Sequence, residues 1–101
     1  TITGTHSTVR RLVVDTYGSA STYNLEEIRG STVNDIVILT AKHNDRTIVV
    51  RNYSGSGKYF YLYSSNNFSL SHTKDTMVLL CTYVDGNICH WSEITRSNNV
   101  A

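Results

Sequence analysis

The sequence predicts an all-β protein: a single antiparallel β-sandwich of about eight strands with a jelly-roll-like arrangement. Three observations lead there. Thr, Ser, Tyr, Val and Asn dominate the 101 residues, a mix that suits pleated, half-buried surfaces better than helices. Apolar runs are short, and polar turn clusters break them roughly every 8 to 12 residues. Proline is absent, so Gly, Asn, Asp and Ser must make the turns.

Taken in order, residues 1–10 form an entry segment, rich at 1–8 in Thr, Ser, Gly and His and with one Ile. Leu12, Val13 and Val14 make a short strand that stops at Asp15, and 17–21 is a loop built on Gly18. Residues 23–29 alternate as a strand, although Leu25-Glu26-Glu27-Ile28-Arg29 would also close one helical turn. After the turn cluster 30–35, the β-branched run Ile36, Val37, Ile38 marks a buried strand ending at Ala41. The polar loop 42–45 and the strand 46–51 complete a hairpin with it. The loop 54–58 is the most flexible by composition. Residues 59–63 alternate Phe60 and Leu62 inward with Tyr59, Tyr61 and Tyr63 outward, and 66–71 is a short strand around Phe68 and Leu70.

The chain closes on its strongest element, two β runs over 76–84 and 88–95 around Asp85-Gly86, a pair that tolerates the positive φ of tight hairpin turns. Alternation puts Met77, Leu79, Cys81 and Tyr83 on one face and Val78, Leu80, Thr82 and Val84 on the other. Both faces are apolar, which predicts a central strand covered on both sides. With a two-residue turn at 85–86, Cys81 opposes His90 and Cys89 opposes Thr82. With a three-residue turn Cys89 opposes Tyr83, and the two cysteines sit diagonally, about 7 Å or more apart. A disulfide needs Cα atoms at roughly 5.5 to 6 Å, so both thiols are expected to be reduced, as in a protein assembled in a cytoplasm.

A chain of this size is one domain, residues 1–101. Nine Lys and Arg face eight Asp and Glu, which offers no electrostatic footprint for nucleic acid or an anionic membrane. No apolar run reaches the roughly 18 residues of a membrane span. The start at Thr1, without Met or a signal-peptide core, reads as a piece of a longer chain.

Chemistry is sparse. His6, His43, His72 and His90 lie far apart, without the local spacing that begins a zinc site. Gly55-Ser56-Gly57-Lys58 lacks the first glycine of a phosphate loop, whose place is taken by Asn52. No Gly-x-Ser-x-Gly elbow occurs. Asp15, Asp35, Asp75 and Asp85 stand at strand ends as turn residues, and Glu26 and Glu27 point to opposite faces of a strand. No catalytic site, metal or cofactor is expected. Trp91 reads as a packing anchor, with Arg96 available to the Glu93 carboxylate. The one candidate binding site is Tyr59, Tyr61 and Tyr63, three rings about 6.5 to 7 Å apart along one strand face. Such a strip serves as a subunit contact, a sugar-stacking platform or plain surface cover.

The closing run carries a resemblance. Asp85-Gly86, Trp91, Glu93 and Arg96-Ser97-Asn98-Asn99 resemble the C-terminal β-sandwich domains of bacteriophage tailspikes and neck appendages. The segment Tyr23–Gly30 and the strands after it are similar to the middle strands of that family, so the likeness covers about residues 12 to 99. It departs where the family often has Gly-Asp and this chain has Asn34-Asp35, and at Cys89, where a polar residue is usual. The resemblance implies a non-catalytic domain in a virion tail, forming a homotrimer and presenting a surface to host-cell glycan. The alternative is a monomeric carbohydrate-binding module of a glycan-active enzyme, working through the tyrosine strip.

Overall fold

The computed structural model describes residues 8–55 and 57–99; most of the expected entry segment, His6 included, lies outside them. The protein is all-β, with eight strands: β1 Val9–Val14, β2 Thr22–Leu25, β3 Ile36–Ala41, β4 Thr47–Val50, β5 Phe60–Tyr61, β6 Phe68–Leu70, β7 Thr76–Asp85 and β8 Ile88–Ser97. They form a five-stranded sheet in the order β1-β3-β7-β8-β5 and a three-stranded sheet in the order β2-β4-β6.

The expected antiparallel, jelly-roll order is not what these strands adopt. Pairs β1–β3, β2–β4 and β5–β8 are parallel, whereas β3–β7, β4–β6 and β7–β8 are antiparallel. The first four strands alternate between the sheets and stack like two coils of a solenoid. Val9 lies opposite Ile36, 27 positions later, and Thr22 lies opposite Thr47, 25 positions later. The expected hairpin of residues 36–51 is therefore absent. Ile48 and Val50 alternate inward as Leu39 does, and they reach the same core from the opposite sheet. At this corner the Asp15 carboxylate accepts from Arg46 Nη1 at 2.9 Å and lies 3.3 Å from His43 Nε2. It thereby ties the turn of the first coil to the turn of the second.

Both sheets contribute to one core. Val37, Leu39, Met77, Leu79, Cys81, Cys89, Phe60 and Trp91 come from the large sheet, and Ile48, Val50 and Leu70 from the small one. Trp91 is fully buried, and its indole Nε1–H donates to the Ile28 carbonyl at 3.2 Å. The predicted strand 23–29 leaves the sheet after Leu25, and that departure brings the Ile28 carbonyl to the tryptophan. The Glu93 carboxylate, almost wholly buried, accepts from Arg96 Nη2 at 2.7 Å and from the Tyr63 N–H at 2.9 Å. Arg96 also donates to the Asn66 carbonyl at 3.0 Å and lies over the Phe68 ring, so it clamps β8 to the second sheet. Its guanidinium holds the Glu93 carboxyl below the usual carboxylate range, against the opposing effect of burial.

Two β-bulges correct the facial assignment of the hairpin. Cys81 pairs with Trp91 but Tyr83 with His90, so Thr82 is the extra residue and Tyr83 joins the outer face. Leu79 pairs with Glu93 and Val78 with Thr95, which leaves Ile94 as the second insertion. The turn shifts by one residue as well. Asp85 pairs with Ile88, so Gly86-Asn87 is the loop, with Gly86 at φ +62°. Val84 thereby returns inward opposite Cys89, and both cysteines end in the core as free thiols. Cys81 opposes Trp91 and Cys89 opposes Val84, so neither expected register holds. Burial, then the neighbouring Cys89, pushes the Cys81 thiol up.

Candidate functional site

The core takes one face of the five-stranded sheet and leaves the other outward. Register across the sheet aligns Val9, Ile36, Leu80, Ser92 and Tyr61 in one outer row, and Arg11, Ile38, Val78 and Thr95 in the next. Ile36, Ile38, Val78 and Leu80 are only half-buried, and Val9 and Ile94 are 58% and 53% exposed. Within the single chain, the strand expected to be covered on both sides has one face in the core and the other half-buried. An aliphatic stripe runs across the centre of the outer face, and the aromatic residues gather at its β5 edge.

That edge holds two of the three predicted tyrosines. Tyr61 stacks on Tyr53 with ring centroids 4.9 Å apart and on His90 at 5.8 Å. The Tyr61 hydroxyl lies 3.0 Å from His90 Nδ1. Tyr59 and Tyr83 approach the same imidazole at 5.0 and 5.2 Å. Three tyrosines therefore surround one histidine, with Tyr53 stacked on Tyr61 beside them, and Tyr53, Tyr61 and Tyr83 are exposed. Burial, and then the neighbouring Tyr53 and Tyr59, pushes the Tyr61 phenol up, which keeps it a neutral hydrogen-bonding group.

Tyr63 does not belong to this cluster. The strand ends at Tyr61, and Tyr63 begins a 3₁₀ turn through Ser65, where its side chain is 74% exposed. Ser64 and Ser65 adopt positive φ there, which breaks the alternation that a flat three-ring strip requires. Tyr83 and His90 lie outside the expected site, whereas Tyr53 opens the neighbouring 53–58 loop. His90 was legible as the outward neighbour of an inward Trp91. Tyr53 arrives through a parallel bridge between Asn52 and Phe60, and Tyr83 through the Thr82 bulge, neither of which leaves a pattern in the sequence.

A cleft of about 430 Å³ opens at the β1–β2 end, lined by Val14, Leu25 and Ile48 together with the exposed Tyr17 and Tyr23. Among the described residues no three His, Cys, Asp or Glu side chains converge to hold a metal, and no helix is long and apolar enough to cross a membrane. Comparison with family models, curated proteins and solved structures finds no match to this chain.

Proposed function

We propose that this chain is a non-catalytic assembly and surface-binding domain, of the kind that trimerises a phage tailspike or appendage and presents a surface to host glycan. The observation that carries the reading is the outer face of the five-stranded sheet, with Ile36, Ile38, Val78 and Leu80 contiguous across β3 and β7 and flanked by exposed Val9 and Ile94. Completing the burial of one such side chain is worth up to about 1.5 to 3 kcal/mol, so a stripe of them favours a protein partner over water. Three copies meeting through this face would each cover the stripe of a neighbour. Glycan then falls to the adjoining rings of Tyr53, Tyr61 and Tyr59, which combine flat apolar faces with hydroxyls.

Sedimentation equilibrium at tens of micromolar tests the assembly. The expected species has about three times the 11.3 kDa chain mass. Ile38 and Val78 are cross-strand neighbours at the middle of the stripe, so the double variant Ile38→Glu, Val78→Glu should give a folded monomer. A wild-type chain that sediments at 11.3 kDa overturns the assembly reading. The exposed Tyr53–Tyr61 stack favours a second reading, the monomeric carbohydrate-binding module. A wild-type monomer that binds oligosaccharide, and loses it with Tyr61→Ala, selects that one.

A further inference from the structure

We infer that the cleft at the β1–β2 end is a binding site for one small, uncharged aromatic molecule. Its place in the fold is the mouth of the core. Tyr23 and Leu25 pair with Ile48 and Val50, both buried, so they stand on the inward face of the small sheet. Val14 pairs with buried Ala41 and faces inward from the large sheet. These three line the cleft of about 430 Å³ together with Ile48, Tyr17 and Asn24. That size lies near the lower end of ligand pockets and gives room for one or two rings. None of Ile36, Ile38, Val78 and Leu80 lines it, so the inference does not rest on assembly through the outer sheet face.

The tyrosine wall is fixed in advance. Gly18 and Ser19 both take φ +62°, and the Ala20 N–H closes the turn on the Tyr17 carbonyl at 3.2 Å. Buried Thr16 braces the same turn: its Oγ1–H donates to the Ala20 carbonyl at 2.6 Å, and its N–H to Asp15 Oδ1 at 2.7 Å. A serine in the left-handed region is uncommon and persists only where its surroundings hold it there. What this turn holds is a tyrosine that is 80% exposed, its ring centroid 6.3 Å from that of Tyr23 and tilted to it by 47°. Rings this close touch each other, so no third ring fits between them. A ligand therefore lies along both rings and against the aliphatic side chains.

Charge and polarity select the ligand class. Among the described residues, Asp15 is the one ionised side chain lining the cleft, and it is already engaged. Arg46 Nη1 donates to it at 2.9 Å, and His43 Nε2 lies 3.3 Å away. An ion entering the cleft would lose hydration and meet no unpaired opposite charge. Five of the eight lining side chains, Val14, Tyr17, Tyr23, Leu25 and Ile48, are instead aliphatic or aromatic. The Thr16 hydroxyl is held by Ala20, which leaves the Asn24 carboxamide and the two phenol hydroxyls to meet a polar group. An aromatic ring with one neutral polar substituent matches this set, ring to the apolar side chains and substituent to Asn24. A pyranose carries hydroxyls around its whole rim and would press several of them against Val14, Leu25 and Ile48 without partners, which is unfavourable.

Titration of isotope-labelled protein with benzamide, read residue by residue by NMR, tests the site. Benzamide, benzoate and benzamidine share one shape and are neutral, anionic and cationic in turn. Benzamide should give saturable shifts at Val14, Tyr17, Tyr23, Asn24 and Leu25, half-complete at about 1 mM, a value in keeping with so few atoms. The two ions should bind about tenfold more weakly to the same wild-type chain. Tyr17→Ala removes a side chain that stands in solvent, so the fold should persist while benzamide binding weakens by about three- to tenfold. Shifts that grow linearly without saturating, or that fall on Ile36 and Leu80 of the outer face, overturn the inference. So do equal affinities for the three probes, an unchanged affinity in Tyr17→Ala, or displacement of benzamide by an equal concentration of methyl glucoside.

Discussion

The two ends of the large sheet are built from similar residues and reach different states. At the β7–β8 side, Met77, Leu79, Cys81 and Trp91 are closed over by the second sheet and locked by the Glu93–Arg96 clamp. At the β1 side, Leu12 and Val14 occupy equivalent inward positions and remain half-covered. Hydrophobicity does not distinguish them; place in the stack does. Leu12 and Val14 sit on an edge strand that, among the described residues, has a neighbour on one side alone. That strand borders the open cleft at the β1–β2 end, whereas the edge residues Leu70 and Phe60 at the other end are closed over. Stability should therefore be graded along the stack, high at the hairpin and low at the first coil.

The sharpest test of that gradient is a pair of truncations. Trp91→Ala removes a fully buried ring and its hydrogen bond to the Ile28 carbonyl, and should cost about 3 to 5 kcal/mol. Leu12→Ala, half-exposed at the open end, should cost well under the roughly 2 to 5 kcal/mol of a core leucine. Urea midpoints for the two variants measure both. Equal losses would break the comparison and show that the first coil is as firmly held as the hairpin.

Much of the strand pattern is legible in the sequence, because alternation and turn residues act locally. All eight strands fall within or about the runs that hydrophobicity marks, and Trp91 and the Glu93–Arg96 pair play the parts that their chemistry suggests. The 59–63 run yields only the two-residue β5. Sheet membership is not local. The two coils are offset by 27 positions at β1–β3 and 25 at β2–β4 and share only Leu12/Leu39 and Thr22/Thr47 at matched positions, so nothing in 36–51 separates a hairpin from a crossing to the other sheet. The bulges at Thr82 and Ile94 each move one residue across the sheet without a glycine to announce it. That is why Tyr83 leaves the face of Met77, Leu79 and Cys81 that plain alternation assigns it and lies beside His90, while the 3₁₀ turn from Tyr63 takes that residue out of the expected strip.

A smaller effect separates the clamp from simple burial. The Glu93 pKa is lowered below its ordinary 4.5, chiefly by the hydrogen bond from Arg96 and further by the Tyr63 N–H. A depressed carboxyl stabilises the fold above its unfolded pKa, and that contribution is lost as pH falls through the folded value. Urea midpoints of the wild-type chain should therefore fall as the solution is taken from pH 7 to below about 4. Asp15 and Asp35, also lowered, add to the same slope. Glu93→Gln keeps the shape but loses the charge-assisted bonds, costing about 1.5 to 3 kcal/mol at pH 7 and less in acid. A variant with the same acid slope as wild type would assign that slope to the two aspartates and leave the clamp a packing contact.

The smallest expected change lies at the aromatic edge, which belongs to neither end of the gradient. Tyr61 has two kinds of attachment there, ring stacking on Tyr53 and His90 and the 3.0 Å hydroxyl contact with His90 Nδ1. Tyr61→Phe removes the second alone. A hydrogen bond at a partly exposed site is worth about 0.5 to 1 kcal/mol, and water can replace it. At roughly 4 to 8 °C per kcal/mol for a domain of this size, the melting temperature should fall by no more than a few degrees. Tyr61→Ala removes the rings' contact too and should cost more. If Tyr61→Phe costs as much as Tyr61→Ala, the hydroxyl rather than the stack holds the cluster together. The edge would then be a hydrogen-bonded structural element, and its exposed rings would lose their standing as a surface for sugar.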